Sequence, residues 1–333
     1  MAQLLDTIYK RPLRVNFAVV DDASALEAVK RLVTGHETKL ALVPSDSPHR
    51  CVGWEHGGPV LVRVYQRAVR ADAKLEADVA AALGPRILGT FTNGHVEEYL
   101  VYHTPGKGHA PPDAVDGLAR ALAGVHAHAP PLEVLDVANA SPRSWVALRR
   151  AREVAQSLSF DTRGSLVKAR YAAVAPLVSS RRLDRKLDQL QARVPPGARV
   201  ALCHGAAAGH CVLRSDDGDA RLVDWGAVGV DYAAWDMARA LHDDVEMLPE
   251  LADRRAFVSE YLSARDTAPP ARAAVNALVN DIQYFTICDN YLRGFGLVAR
   301  AHAAATDGAA ADLLSKAAAR LGAARAQQYV VVW

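Results

Sequence analysis

Cys203-His204 and His210-Cys211 bring two thiols and two imidazoles into one short segment, the donor types that zinc prefers. Neighbouring residues of a strand point to opposite faces, so at most one of each pair can face a common ion. Two ligands leave such a site unclosed. Arg63 is a lone cation among apolar neighbours in Pro59–Tyr65, where Val60, Val62 and Val64 take one side and Leu61, Arg63 and Tyr65 the other. Glu76 lies one step off a helical stripe of Leu75, Val79 and Leu83, and an ion pair with Arg63 would tie strand to helix. Asp224 ends a short apolar run, where a carboxylate either ligates a metal or caps the next turn. Tyr232 and Trp235 offer rings for an aromatic cage around a quaternary ammonium, or ordinary packing at a helix start. His126 and His128 read as packed or helix-end residues.

The elements that must position these groups change character along the chain. Strand-like runs, Thr38–Val43 and Pro59–Tyr65, dominate the first hundred residues, with one helix around Leu75–Leu83. Arg86–Phe91 and His95–Tyr102 flank Thr92-Asn93-Gly94, and Asn-Gly between apolar runs signals a hairpin. After Pro105 helices take over. Asp113 is placed to cap one carrying Val115, Leu118, Leu122 and Val125. Ser144–Leu158, Gly164–Leu177 and Leu183–Arg193 follow. A small β patch comes next, at Arg199–Cys203, Cys211–Arg214 and Ala220–Asp224. Beyond Asp231 the chain reads helical, including Pro249–Leu262 and Ala271–His302. The pattern predicts a bilobal α+β protein, residues 1–103 forming a β-rich lobe and residues 104–333 a helical one, with its chemistry between them.

Composition narrows the function classes. The chain has 333 residues, and 39 Lys+Arg against 37 Asp+Glu argue against a dedicated nucleic-acid binder. An aromatic share of 6% in an Ala-rich chain implies closely packed helices and little aromatic binding surface. Four scattered cysteines without a CxxC pair read as reduced thiols. No apolar run is long enough to span a bilayer and no secretory h-region opens the chain, which predicts an intracellular protein. Lys10, Arg11 and Arg14, with Asp6 the sole acid among the first residues, leave a mitochondrial or other organellar presequence open.

Two stretches carry a family resemblance. Val60-Leu61-Val62-Arg63-Val64-Tyr65, Glu76, Leu83-Gly84-Pro85-Arg86 and Asn93-Gly94-His95-Val96-Glu97-Glu98-Tyr99-Leu100 come in the order found in choline/ethanolamine kinases. Cys203-His204-Gly205-Ala206, Val223-Asp224-Trp225 and Asp231 to Ala238 resemble that family's catalytic segments. The resemblance implies a protein-kinase-like fold related to aminoglycoside phosphotransferases. It makes Arg63 the phosphate-contacting cation, Glu76 its helix-borne partner and Asp224 a metal ligand, with His204 and Asp236 holding the catalytic loop. The family's catalytic Asp falls on Ala206 and its metal-binding Asn on Cys211. Thr34-Gly35-His36-Glu37-Thr38 stands where the family has its glycine-bearing phosphate loop, and Glu37 brings a negative charge there.

Ala206 cannot accept a proton, and a thiol is a poor magnesium donor. From these departures the sequence predicts a pseudokinase without catalytic residues, with no cofactor required and ATP and Mg bound weakly if at all. Its role would be structural or binding, an accessory subunit docking protein partners through segments such as Tyr329-Val330-Val331-Val332-Trp333. The alternatives are an ATP-dependent phosphotransferase acting on choline, ethanolamine or another small alcohol through an atypical site, and a nucleotide- or amine-sensing module without turnover.

Overall fold

Alternating apolar residues in the first hundred positions build one six-stranded sheet. The structure, a computed structural model, describes residues 13–14, 21–34, 40–43, 50–54, 57–64, 73–98, 112–129, 135–137, 140–207, 212–214, 220–242, 250–266 and 269–331. The strands are β1 (Leu13–Arg14), β2 (Leu40–Val43), β3 (Arg50–Trp54), β4 (Gly57–Val64), β5 (Ile87–Phe91) and β6 (Gly94–Glu98). They lie in the order β1-β5-β6-β4-β3-β2, parallel between β1 and β5 and antiparallel elsewhere. Helix α1 (Asp22–Val29), capped by Asp21 through the Ser24 N–H, covers one face. Its Ala25, Ala28 and Val29 pack with Val52, Val60, Val62 and Val96. The other face belongs to alternate residues: Arg63 pairs with His95 and Leu61 with Glu97 across β4 and β6. α1, β1 and β3 are additions to the sequence expectation. Helix α2 (Ala73–Leu83) carries Glu76 in its first turn.

The helical lobe is assembled around a long central helix. Its elements are α3 (Pro112–Ala127), α4 (Ser144–Ser157), α5 (Ser165–Val178), α6 (Arg181–Ala192), α7 (Ala233–Leu241), α8 (Leu251–Asp266), α9 (Arg272–Ala303) and α10 (Asp307–Val331). Helix α3 starts at Pro112, one residue ahead of the expected cap Asp113, because proline's fixed φ and missing N–H suit a first helical position. The 32 residues of α9 span about 48 Å. α10 returns antiparallel along it, burying Ala310, Leu314, Ala317, Leu321 and Ala324 at the three-and-four spacing of one helix face. Small side chains thus recur on the α10 face of this seam, at Ala310, Ala317 and Ala324. Gly294 of α9 lies under Leu321, and a Cβ there would come within 2.7 Å of that side chain. The C-terminal Val332-Trp333 lies outside the described residues.

Two small ribbons complete this lobe: β7 (Val200–Cys203) with β10 (Gly229–Tyr232), and β8 (Val212–Arg214) with β9 (Ala220–Leu222). A 3-10 turn, Trp225–Ala227, joins β9 to β10 and packs against α2 of the first lobe. Together these elements form a bilobal, protein-kinase-like α+β fold. The lobe boundary near residue 103 lies outside the described residues. Among the described residues no helix is long and apolar enough to cross a membrane.

Candidate functional site between the lobes

Strand β7 delivers the chain to His204, which is fully buried. Its Nε2 donates to the Val223 carbonyl (2.9 Å), its Nδ1 accepts from the Ala206 N–H (3.3 Å), and its ring lies 4.7 Å from that of Trp225. These contacts place the proton on Nε2. Gly205 has φ +78, and a Cβ at that position would run into the Ala227 carbonyl oxygen. Only glycine takes this left-handed turn without clash. The loop therefore turns sharply just before Ala206, which is partly exposed.

Asp236, from the first turn of α7, binds the loop from beneath. Its Oδ2 accepts from the His204 N–H (2.8 Å) and its Oδ1 from the Gly205 N–H (2.9 Å). His126 of α3 reaches the same carboxylate at 3.2 Å and touches the Tyr261 hydroxyl at 2.9 Å with its other nitrogen. Burial alone would raise the Asp236 pKa, but the His126 hydrogen bond and the nearby Arg239 guanidinium hold it down at about 2. Arg239 donates to the Gly205 carbonyl and to Asp289 of α9 (3.0 Å), which also accepts from Arg293 (2.6 Å) and Trp235 (3.2 Å). On the far side Arg143 donates to the Ala227 carbonyl and Ser144 to Asp231.

Asp224 adopts the left-handed conformation, φ 68 and ψ 58, alone among the described non-glycine residues in having positive φ. Its side chain makes no capping hydrogen bond to the following turn, so the capping role is not the one it takes. Instead its half-exposed carboxylate accepts from Arg63 across the lobes at 3.0 Å. Arg63 is 6% exposed and donates its other arm to Glu97 at 3.2 Å. Glu97 in turn holds His95 at 2.9 Å. Desolvation opposes the Arg63 charge, but Glu97 and Asp224 raise its pKa above the usual value. Burial likewise works against the Glu97 carboxylate, yet His95 and Arg63 hold its pKa down. Glu76 differs: burial dominates and raises its pKa, with Arg63 and His95 offsetting only part. The strand-to-helix ion pair expected of Arg63 and Glu76 is replaced by one to Glu97, the neighbour that the β4–β6 register brings to the same face.

The remaining candidates fall elsewhere. Trp235 is 1% exposed, its ring 5.3 Å from Trp145 and 5.4 Å from Phe285. Tyr232 stacks on Phe285 at 4.9 Å. Trp235 is a core residue here, with Asp289 on its indole nitrogen. His210 and Cys211, the phosphate-loop residues 35–38 and the second half of the proposed zinc set lie outside the described residues. Cys203 does share a buried cluster with His126 and Asp236, ligand atoms within 4.8 Å, but the Asp236 and His126 donors are already engaged. Glu97, His95, His126, Arg239 and Asp289 were not singled out by sequence as site residues. Glu97 and His95 stand in the run that resembles the family, but what brings them to Arg63 is the β4–β6 register.

The family model for choline/ethanolamine kinase matches residues 29–324. Among solved structures the chain is similar to an ethanolamine kinase of Plasmodium vivax, with TM-score 0.67 and 15% identity over 89% of this chain and 84% of that one. A choline kinase of Cryptosporidium parvum gives 0.64 and 16% over 93% and 96%. A putative aminoglycoside phosphotransferase of Ralstonia eutropha gives 0.61 and 12% over 92% and 98%. No curated protein sequence matches. The expectation that no cofactor is required falls with these findings, because choline kinase family members depend on ATP and Mg. The donor set is compatible with that correction. Mg²⁺ is held through one or two carboxylates plus phosphate oxygens and water, and the Asp224 carboxylate is half-exposed.

Proposed function

The chain belongs to the choline/ethanolamine kinase family, and from that premise we propose that it transfers a phosphoryl group from ATP to a small alcohol such as choline or ethanolamine, using an altered catalytic loop. The observation that carries the reading is Asp224, a half-exposed carboxylate in left-handed backbone, not used as a cap, that meets Arg63 between the lobes. Asp224 would hold Mg²⁺ together with phosphate oxygens. Bound there, the ion would neutralise charge on the transferring group. Arg63, steadied by Glu97, is the cation that meets phosphate oxygens once Asp224 turns to the metal. Asp236, Arg239 and Gly205 fix the loop on which the acceptor alcohol would sit, and such positioning supplies much of the rate in phosphoryl transfer.

No carboxylate at position 206 takes the alcohol proton, which would pass to solvent water as the new P–O bond forms and ADP leaves. Loss of a general base costs about 10²–10⁴ in rate, so the proposal is of a slow enzyme and not of an inert one. The test is ADP release by purified protein with Mg-ATP and choline or ethanolamine. Alcohol-dependent turnover that disappears in Asp224→Ala supports the reading. Absence of turnover from both the wild type and Ala206→Asp sinks it. That outcome would favour the second reading, a family member retained for binding or as an accessory subunit, which the methyl of Ala206 alone supports.

A further inference from the structure

Strands β4 and β6 stand Arg63 directly opposite His95, and Glu97 lies two residues further along β6, on the same face of the sheet. All three are buried, at 6%, 1% and 2% exposure. Glu97 divides its two oxygens between the others. Oε1 accepts from Nη2 of Arg63 at 3.2 Å, and Oε2 accepts from Nε2 of His95 at 2.9 Å. The other arm of Arg63, Nη1, crosses to Asp224 at 3.0 Å. A carboxylate left alone with a guanidinium commonly takes it with both oxygens, through two parallel N–H···O bonds. Glu97 does not, because its second oxygen is already held.

That division decides where the Arg63 guanidinium points. A buried carboxylate oxygen stripped of its partner is costly and takes another donor where it can, and Arg63 already holds the neighbouring oxygen. Without His95, Glu97 would turn both oxygens onto Arg63 and draw a second N–H toward the sheet, at the expense of the arm that reaches between the lobes. An imidazole supplies the competing donor without placing a second permanent cation opposite Arg63. We propose that His95 is a positioning residue for the nucleotide: by holding Oε2 of Glu97 it keeps Arg63 singly bound to the sheet and leaves Nη1 for a phosphate oxygen of ATP once Asp224 turns to the metal. His95 has this role only if Arg63 is the phosphate cation of the proposed phosphotransferase, and it acts through Glu97 without touching the nucleotide.

Calorimetric titration of the full chain with Mg-ATP tests it, on the wild type, His95→Leu and His95→Gln. Leucine fills the space without a donor, whereas the glutamine amide nitrogen can take the place of Nε2. His95→Leu should weaken Mg-ATP by about tenfold, the scale of one hydrogen bond to a charged group, and His95→Gln should restore most of that affinity. Combined with Arg63→Gln, His95→Leu should cost nothing further, because its route to the nucleotide is gone. Should His95→Leu fail to fold, His95→Asn, whose shorter amide stops short of Glu97, carries the comparison with His95→Gln. The proposal is overturned if His95→Gln binds as weakly as His95→Leu, or if adenosine, which offers Arg63 no phosphate, weakens as much as ATP. Equal Mg-ATP affinity in the wild type and His95→Leu overturns the role of His95 alone and leaves the phosphotransferase reading standing. A wild type that binds no Mg-ATP overturns both.

Discussion

At the scale of single residues, the decisive one is Ala206. Its N–H donates to His204, and Asp236 holds the two residues before it, so a carboxylate placed there would emerge from a preorganised loop. Ala206→Asp should raise kcat for the alcohol substrate by about 10²–10⁴ with little change in KM, read from steady-state kinetics with Mg-ATP. An unchanged kcat would mean that no base is missing. Asp236 makes a different prediction. Its carboxylate is depressed from 3.8 to about 2, so the stabilisation it gives is complete above about pH 4 and is lost as pH falls through about 2. The shift corresponds to about 2 kcal/mol. Asp236→Asn should lower stability at neutral pH and flatten the acid limb of urea-denaturation midpoints between pH 4 and pH 2; an acid limb as steep as the wild type's would refute the assignment. The sequence displayed Arg63, Asp224 and Asp236 through their places in motifs. It did not display His126, Arg239 or Asp289, which meet the loop only because α3, α7 and α9 pack together over more than 30 residues of separation.

At the scale of helices and strands, the α9–α10 pair packs through small residues, with Gly294 accommodating Leu321 and Ala310, Ala317 and Ala324 repeating along the seam. Gly294→Ala would place a methyl 2.7 Å from Leu321 and should cost about 1–3 kcal/mol by overpacking. Leu321→Ala should cost about 2–5 kcal/mol by opening a cavity. Combined, the two should cost less than their sum, because each relieves what the other creates; additive urea-denaturation energies would show that the residues do not touch. Such elements were legible in the sequence to different degrees. The β5–β6 hairpin was marked by Asn93-Gly94, and α9 fell within the helical reading of residues 271–302. α1 and β3 were missed: Asp22–Val29 is short with small apolar residues, and β3 carries a glycine and a register shift between Val52 and Trp54 that break its alternation. Glu97 was hidden for a related reason, since its approach to Arg63 follows from the pairing register of β4 with β6 and not from spacing along either strand.

For the molecule as a whole, the site depends on how the two lobes are held together, and the core of the helical lobe runs on into Leu75, Val79, Ala80 and Ile87 of the first lobe. Arg63–Asp224 at 3.0 Å and Glu98–Arg221 at 3.7 Å both run between the first-lobe sheet and the β9 region, and the Trp225–Ala227 turn packs on α2. The second pair is partly exposed on both sides and contributes little in salt. The first is asymmetric, a buried guanidinium against a half-exposed carboxylate, so Asp224 can leave Arg63 at modest cost while Glu97 keeps the cation compensated. That asymmetry permits an exchange of partners: Asp224 to a divalent ion, Arg63 to phosphate. Thermal stabilisation by ATP with Mg²⁺ should then exceed that by ATP alone, reaching about 2.7 kcal/mol when free nucleotide is about 100 times its dissociation constant. Asp224→Ala should abolish the magnesium-dependent increment while leaving the response to ATP alone, because it removes the metal's protein ligand and frees Arg63. Equal magnesium increments in both proteins, measured by thermal shift at fixed free nucleotide, would mean that Asp224 serves only to clasp the lobes.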